Sequence, residues 1–358
     1  MNALLRKLGI DLPLIQAPMA GVSTPEMAAA VSNAGGLGSL GVGSVDAEAT
    51  RKMIVAVRSR TDRPFNVNVF CNQPAVADAA REAAWLARLG PTFARFGANP
   101  PARLTEIYQT FLTDDAKLAV LLAERPAVVS FHFGLPSRDR IEALRAARIK
   151  LLATATSLEE GKAVAAAGLD AVVAQGYEAG GHRGVFDPAG PDDRLGTVAL
   201  TRLLVKALDV PVVAAGGIMD GAGIAACLTL GAAAAQLGTA FVACPESSAD
   251  AGYRAALLGP SAEHTVMTAA ISGRPARCLA NRFTSLGEDV RRGEVPDYPI
   301  AYDAGKALHA AAKAAGEFGY GARWAGQGAP LARSLPAAEL VARLWSETQE
   351  ALSRRLPG

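Results

Sequence analysis

The sequence predicts an α/β fold, a closed (β/α)8 TIM barrel carrying a smaller, mainly helical substrate or cap domain, and three observations lead there. Short apolar runs alternate with helix-length segments, eight such runs occur within about the first 240 residues, and polar or glycine-rich turns follow directly behind several of them. The runs are 14–18, 36–40, 65–70, 127–131, 150–154, 170–174, 211–215 and 233–237. Continuous apolar runs of this length suit parallel strands covered on both faces. An open doubly wound sheet would carry a dinucleotide-binding glycine fingerprint, which is missing.

Two stretches break the repeat. Residues 73–125 are too long for one βα connection and read as a helical excursion after the third strand, cut into pieces by Pro74, Pro91, Pro100 and Pro101. Everything after about residue 245 is the second. The expected organisation is a barrel over 1–245, a cap over 246–335, and a C-terminal helical stretch over 336–358 placed to return to the barrel.

Composition narrows the function classes. With 36 Lys and Arg against 34 Asp and Glu in 358 residues, half of them hydrophobic, the chain reads as a soluble globular protein with no basic face for nucleic acid. The apolar N-terminal segment is too short for a signal peptide, so a cytoplasmic protein is expected. Residues 221–245 carry no charge, but their Ala and Gly content and the internal Gln236 fit a helix plus a buried strand better than a membrane span. Cys71, Cys227, Cys244 and Cys278 are scattered, as reduced thiols would be.

Polar residues collect at the strand ends. Gln16, Asn68, Gln175 and Gln236 stand in or just behind apolar runs, where an unpaired amide is costly. They bond one another and the backbone, or they meet a flat polar ligand at the barrel mouth. Gly216-Gly217 after the seventh run and Gly238-Thr239 after the eighth have the order of a phosphate cradle. Gly180-Gly181-His182 lies behind the sixth run and His132 behind the fourth, so both imidazoles are candidate proton carriers at the mouth. No carboxylates stand at matching strand ends, so no metal is expected. His264 and His309 read as structural. Tyr298, Tyr302 and Lys306 recur every four residues along a helix begun by Pro299, a face suited to a small carboxylate or simply to solvent.

Taken together, residues 16–21, 66–68, His132, Gln175 with 178–184, 215–218, 236–239, 272–277, the Tyr298/Tyr302/Lys306 row and 324–327 make a combination that resembles the FMN-dependent nitronate monooxygenases of class I, formerly called 2-nitropropane dioxygenases. The resemblance implies an FMN cofactor with Ala17, Pro18 and Met19 along its ring and Asn68 and Gln175 bonded to it. Gly180, Gly181, Gly217, Gly238 and Thr239 would hold the ribityl and phosphate groups, with Gly216, Gln236 and Leu237 in the same loops. His182 would lie over the flavin and, with His132, do the proton chemistry, while Tyr298, Tyr302 and Lys306 bind substrate. The implied reaction is detoxifying oxidation of alkyl nitronates, such as propionate 3-nitronate, by O2 through a flavin semiquinone to a carbonyl compound and nitrite. A monomer or homodimer is implied, with no nucleic-acid or membrane partner. The rivals are an NADH:quinone reductase or enoyl-carrier-protein reductase on the same flavin barrel, and a flavin-binding barrel without turnover.

Overall fold

The computed structural model describes residues 2–291 and 293–354, and each of the eight expected runs contributes a strand to one parallel sheet. The strands are β1 Leu14–Gln16, β2 Gly38–Gly41, β3 Phe65–Phe70, β4 Val128–His132, β5 Lys150–Ala155, β6 Ala171–Gln175, β8 Val212–Ala215 and β9 Ala234–Leu237; the two-residue β7, Gly181–His182, stands outside this sheet. In space the order runs β1, β9, β8, β6, β5, β4, β3, β2. The ring closes where the Leu37 N–H donates to the Leu14 carbonyl at 2.9 Å and the Gln16 N–H to the Leu37 carbonyl at 3.0 Å. Closure leaves no exposed sheet edge.

Strand alternation divides the residues between shell and interior. Val67 and Val69 of β3, Val129 and Phe131 of β4 and Leu151 and Ala153 of β5 pack together under the outer helices. Their neighbours turn inward. At one end the interior is apolar, with Ile15, Leu37, Val128, Leu152 and Val213 clustered against Leu4, Leu5 and Leu8 of the helix Ala3–Leu8. Toward the other end it becomes polar, through Ser39, Asn66, Asn68, Ser130 and Thr154. Many of the helices begin at a side-chain cap: Thr24, Asp46, Ser137, Ser157 and Asp220 each accept an N–H of the first turn.

The excursion differs from its expected form. The helix Ala79–Arg95 runs straight through Pro91, losing one backbone hydrogen bond there, because Trp85, Leu89 and Phe93 are buried against Ile271, Ile300, Leu308 and Tyr320 of the cap. Burial outweighs the local break. The helix Asp115–Glu124 belongs to the barrel shell, where Val120 and Leu121 join the core, so the excursion ends before it.

Beyond the barrel lie the helix Ile300–Ala314 and an antiparallel sheet made of β10 Thr265–Thr268, β11 Ala276–Leu279 and β7. That sheet is absent from the sequence reading, and its third strand comes from the barrel. The helix Ala337–Ser353 packs Leu340, Val341 and Leu344 against Met27, Val31, Ile224 and Cys227. The last four residues of the expected stretch, 355–358, lie outside the described residues. No helix among the described residues is long and apolar enough to cross a membrane.

The tightest barrel contact is testable. A Cβ on Gly38 would overlap the Ala28 carbonyl, so Gly38→Ala must push the helix Pro25–Asn33 off β2. Urea denaturation should show a loss of about 3 kcal/mol, the upper end of overpacking costs. An unchanged midpoint would mean that this helix is free to shift.

Candidate active site

At the C-terminal ends of the barrel strands, under the cap, lies a cavity of about 530 Å³. This is the end at which barrel enzymes bind ligands, and the volume falls within the roughly 300–1,000 Å³ of small-molecule sites. Every site residue expected from the sequence lines it except Leu237. Strand alternation explains the exception: Gln236 turns inward, so the Leu237 side chain goes to the core beside Phe241 and Leu340, and only its carbonyl serves the site region by accepting the Ala17 N–H at 2.8 Å.

Three of the four strand-end amides have protein partners. Gln16 Oε1 accepts from the Ser39 N–H at 2.8 Å while its Nε2 donates to Ser23 Oγ at 2.9 Å. Asn68 Nδ2 donates to Ser130 Oγ at 2.9 Å. Gln175 clamps the glycine loop, donating from Nε2 to the His182 carbonyl at 3.0 Å and accepting the Gly184 N–H on Oε1 at 2.7 Å. Its amide is therefore committed to shaping the loop. Gln236 lines the cavity with no protein partner among the described residues, and Asn66 Oδ1 is buried without one.

The loops after β8 and β9 can hold an anion. Gly216 and Gly217 adopt φ of 118° and 70°, which a side chain would strain. The N–H groups of Gly217, Ile218, Gly238 and Thr239 donate to no protein acceptor among the described residues, and all four residues line the cavity. Unpaired N–H groups converging on one cavity are an anion cradle.

His182 is held by both halves of the molecule. β7 pairs with β11, His182 opposite Ala276 and Gly181 opposite Arg277, and the Arg183 N–H donates to the Pro275 carbonyl at 2.8 Å. Gly180 has no room for a Cβ because the Ala325–Gly326 backbone lies against it. His182 Nε2 lies 2.9 Å from Ser272 Oγ, whose hydroxyl donates to the Arg274 carbonyl at 3.2 Å. A hydroxyl has one hydrogen, so both contacts are hydrogen bonds only when Nε2–H donates to Ser272. Nδ1 then carries the lone pair. It has no protein partner among the described residues and is not buried, so it opens into the cavity.

His132 is fixed by the same logic. Its Nε2 must donate to the His182 carbonyl at 3.2 Å, so its Nδ1 accepts from the Thr154 hydroxyl at 3.0 Å. It buttresses His182. Burial pushes the His182 imidazole down to about 3, helped by His132 and Arg274, and burial pushes His132 down to about 4 despite its bond to the His182 carbonyl. Both rings are neutral at ordinary pH.

The opposite wall is aromatic. The Tyr298 ring lies 5.2 Å from His182 and the Trp324 ring 4.9 Å. Tyr298 precedes the helix Ile300–Ala314 instead of lying on it, yet it reaches the cavity beside Tyr302, with its hydroxyl buried and unpartnered. Burial raises the Tyr302 phenol to about 12. Lys306 Nζ lies 4.6 Å from the centre of the Tyr108 ring and 5.2 Å from that of Tyr302, and burial lowers its pKa. Sequence reasoning missed Tyr108, which the excursion brings in, and it took His309, which lines the cavity rim, as merely structural.

Comparison with known proteins identifies the family. A family model described as nitronate monooxygenase matches residues 2–347. A nitronate monooxygenase of Paraburkholderia phytofirmans is 67% identical over 353 residues, covering 99% of this chain and 96% of the relative. One of Pseudomonas aeruginosa is 59% identical over 342 residues, covering 96% and 97%. Among solved structures, a nitroalkane oxidase from Streptomyces ansochromogenes is 44% identical with a TM-score of 0.89, over 98% of this chain and 99% of that one. FabK from Thermotoga maritima is 30% identical with a TM-score of 0.74, over 98% and 97%. The chain belongs to the nitronate monooxygenase family.

Proposed function

We propose that the cavity holds FMN and that the enzyme oxidises alkyl nitronates, propionate 3-nitronate among them, with O2 to a carbonyl compound and nitrite. The observation that carries this reading is one cavity shared by an unpaired N–H cradle, a neutral imidazole and a lysine framed by phenols. The cradle of Gly217, Ile218, Gly238 and Thr239 suits the phosphate, and Ala17, Pro18 and Met19 offer a wall for a flat ring. Gln236, free of protein partners, is the amide available to it. Bound FMN supplies the electron acceptor through which the nitronate is oxidised and O2 reduced.

The protein supplies binding, orientation and proton handling. Lys306 and the Tyr302 and Tyr108 phenols hold the substrate carboxylate, and the Tyr298 hydroxyl gains the partner it lacks. His182 Nδ1 is a lone-pair acceptor aimed at the substrate space, so a neutral nitroalkane can lose its α-proton there. A nitronate arrives with that proton already gone. The aromatic wall excludes water and keeps the imidazole unprotonated.

Three outcomes check this. With His182→Asn, flavin should remain bound, turnover of nitroethane should fall roughly 10²–10⁴-fold, and turnover of ethyl nitronate much less; equal losses on both would show that His182 handles the anion and not the proton. Lowered imidazole values mean that the base is neutral well below 6.5, so kcat/KM for nitroethane should show no ascending limb near 6.5, and a limb centred there would contradict the assignment. Lys306→Met should raise KM for propionate 3-nitronate roughly 10–100-fold, as loss of a charged hydrogen bond would, and leave ethyl nitronate nearly unaffected.

A further inference from the structure

Three arginines are buried near the site, and among them only Arg183 meets a carboxylate, while the Arg277 guanidinium is taken up by the Tyr177 carbonyl and the Thr265 hydroxyl. Arg183 meets Asp192 through Nε and a terminal nitrogen, both at 2.9 Å. Arg274, in the turn between β10 and β11, is 3% exposed and forms no ion pair among the described residues. One of its terminal nitrogens donates to the Val185 carbonyl, and its Nε has no partner. Glu160 and Asp187 act on it only from beyond ion-pair distance, and a buried guanidinium without a paired carboxylate is costly, so a fold that keeps one is using its charge or is held back by it.

The location favours use. The guanidinium carbon of Arg274 lies 4.2 Å from the centre of the Phe133 ring, and that same ring lies 5.7 Å from His182, 4.4 Å from His132 and 5.5 Å from Tyr298. The charge stands one aromatic ring away from both imidazoles. Among the described residues no carboxylate faces His182: around it stand neutral His132, the phenols of Tyr298 and Tyr302, Trp324, and Ser272. Lys306 lies further along the same helix as Tyr302 and is also a cation. Asp250, at the rim, is taken by Lys313 at 2.7 Å.

We propose that Arg274 is a positioning residue: a guanidinium behind Phe133, in ion-pair contact with no carboxylate among the described residues, whose standing charge makes the His182 pocket favour a small anion and a neutral imidazole. The inference rests on the reading above, in that the anion it serves is the nitronate oxygens or the nitrite that leaves. Its physics is simple. A fixed cation in a dry pocket attracts an anion entering beside it and opposes a second positive charge on the imidazole. The direction agrees with the depression of both histidines, to which Arg274 contributes after burial.

The test uses the flavin-loaded protein and nitrite as a probe that needs no turnover. Calorimetry on Arg274→Met should show nitrite affinity reduced at least roughly tenfold, whereas Arg274→Lys, which keeps a cation, should stay within about threefold of the parent. Because Met removes an uncompensated buried charge while filling its space, Arg274→Met should unfold no earlier than the parent, where a purely structural arginine would leave a less stable protein. If the Met variant does not fold, Arg274→Gln is read in the same way. A parent protein that binds no nitrite, or a neutral variant that binds it as well as the parent, overturns the proposal. Parent protein that binds nitrite in an Arg274-dependent way but leaves nitronates unoxidised would fault the proposed reaction and uphold the role of Arg274.

Discussion

The site depends on one short strand pairing. Gly181 and His182 leave the barrel behind β6 and pair with Ala276 and Arg277 of the cap, so the imidazole whose Nδ1 opens into the cavity is held by hydrogen bonds from two separate parts of the chain. Gln175 grips the same carbonyl from below, and Ser272 takes the ring Nε2–H from above. A loop alone would leave that ring free to turn. Here the orientation that exposes Nδ1 is built into the backbone before any ligand arrives.

The barrel interior changes in polarity along its axis. Leu and Val fill the barrel end where the strands start, and amides and hydroxyls that bond one another occupy the middle, which leaves the far end for groups whose partners must come from outside. The N–H groups of the glycine loops, Gln236 and the Tyr298 hydroxyl are such groups. Burial that would be wasteful in a structural core becomes useful at this end, because a dry wall strengthens each dipole and keeps both imidazoles uncharged.

Much of the barrel was legible because parallel strands buried on both faces must be apolar runs, and each of the eight runs became a strand within two residues or so of its expected bounds. The loop glycines and histidines were legible because their positions behind strands fixed where they point. Other features were harder to read. The Leu237 side chain stays out of the cavity because a two-residue period sends alternate side chains to opposite faces, and a motif read as a block ignores this. Pro91 misled because a local break in a helix yields when Trp85, Leu89 and Phe93 have a core to enter. Tyr108 and β7 could not be read locally, since each owes its place to a partner distant in sequence.

In the proposed reaction the cavity takes electrons from a nitronate and not from a nicotinamide, the donor that the reductase rivals on the same flavin barrel would use. Anaerobic rapid mixing of the flavin-loaded protein with propionate 3-nitronate and, separately, with NADH tests it most directly. The account predicts fast loss of the oxidised flavin absorbance with the nitronate and none with NADH. Bleaching by NADH, with the nitronate inert, would contradict it.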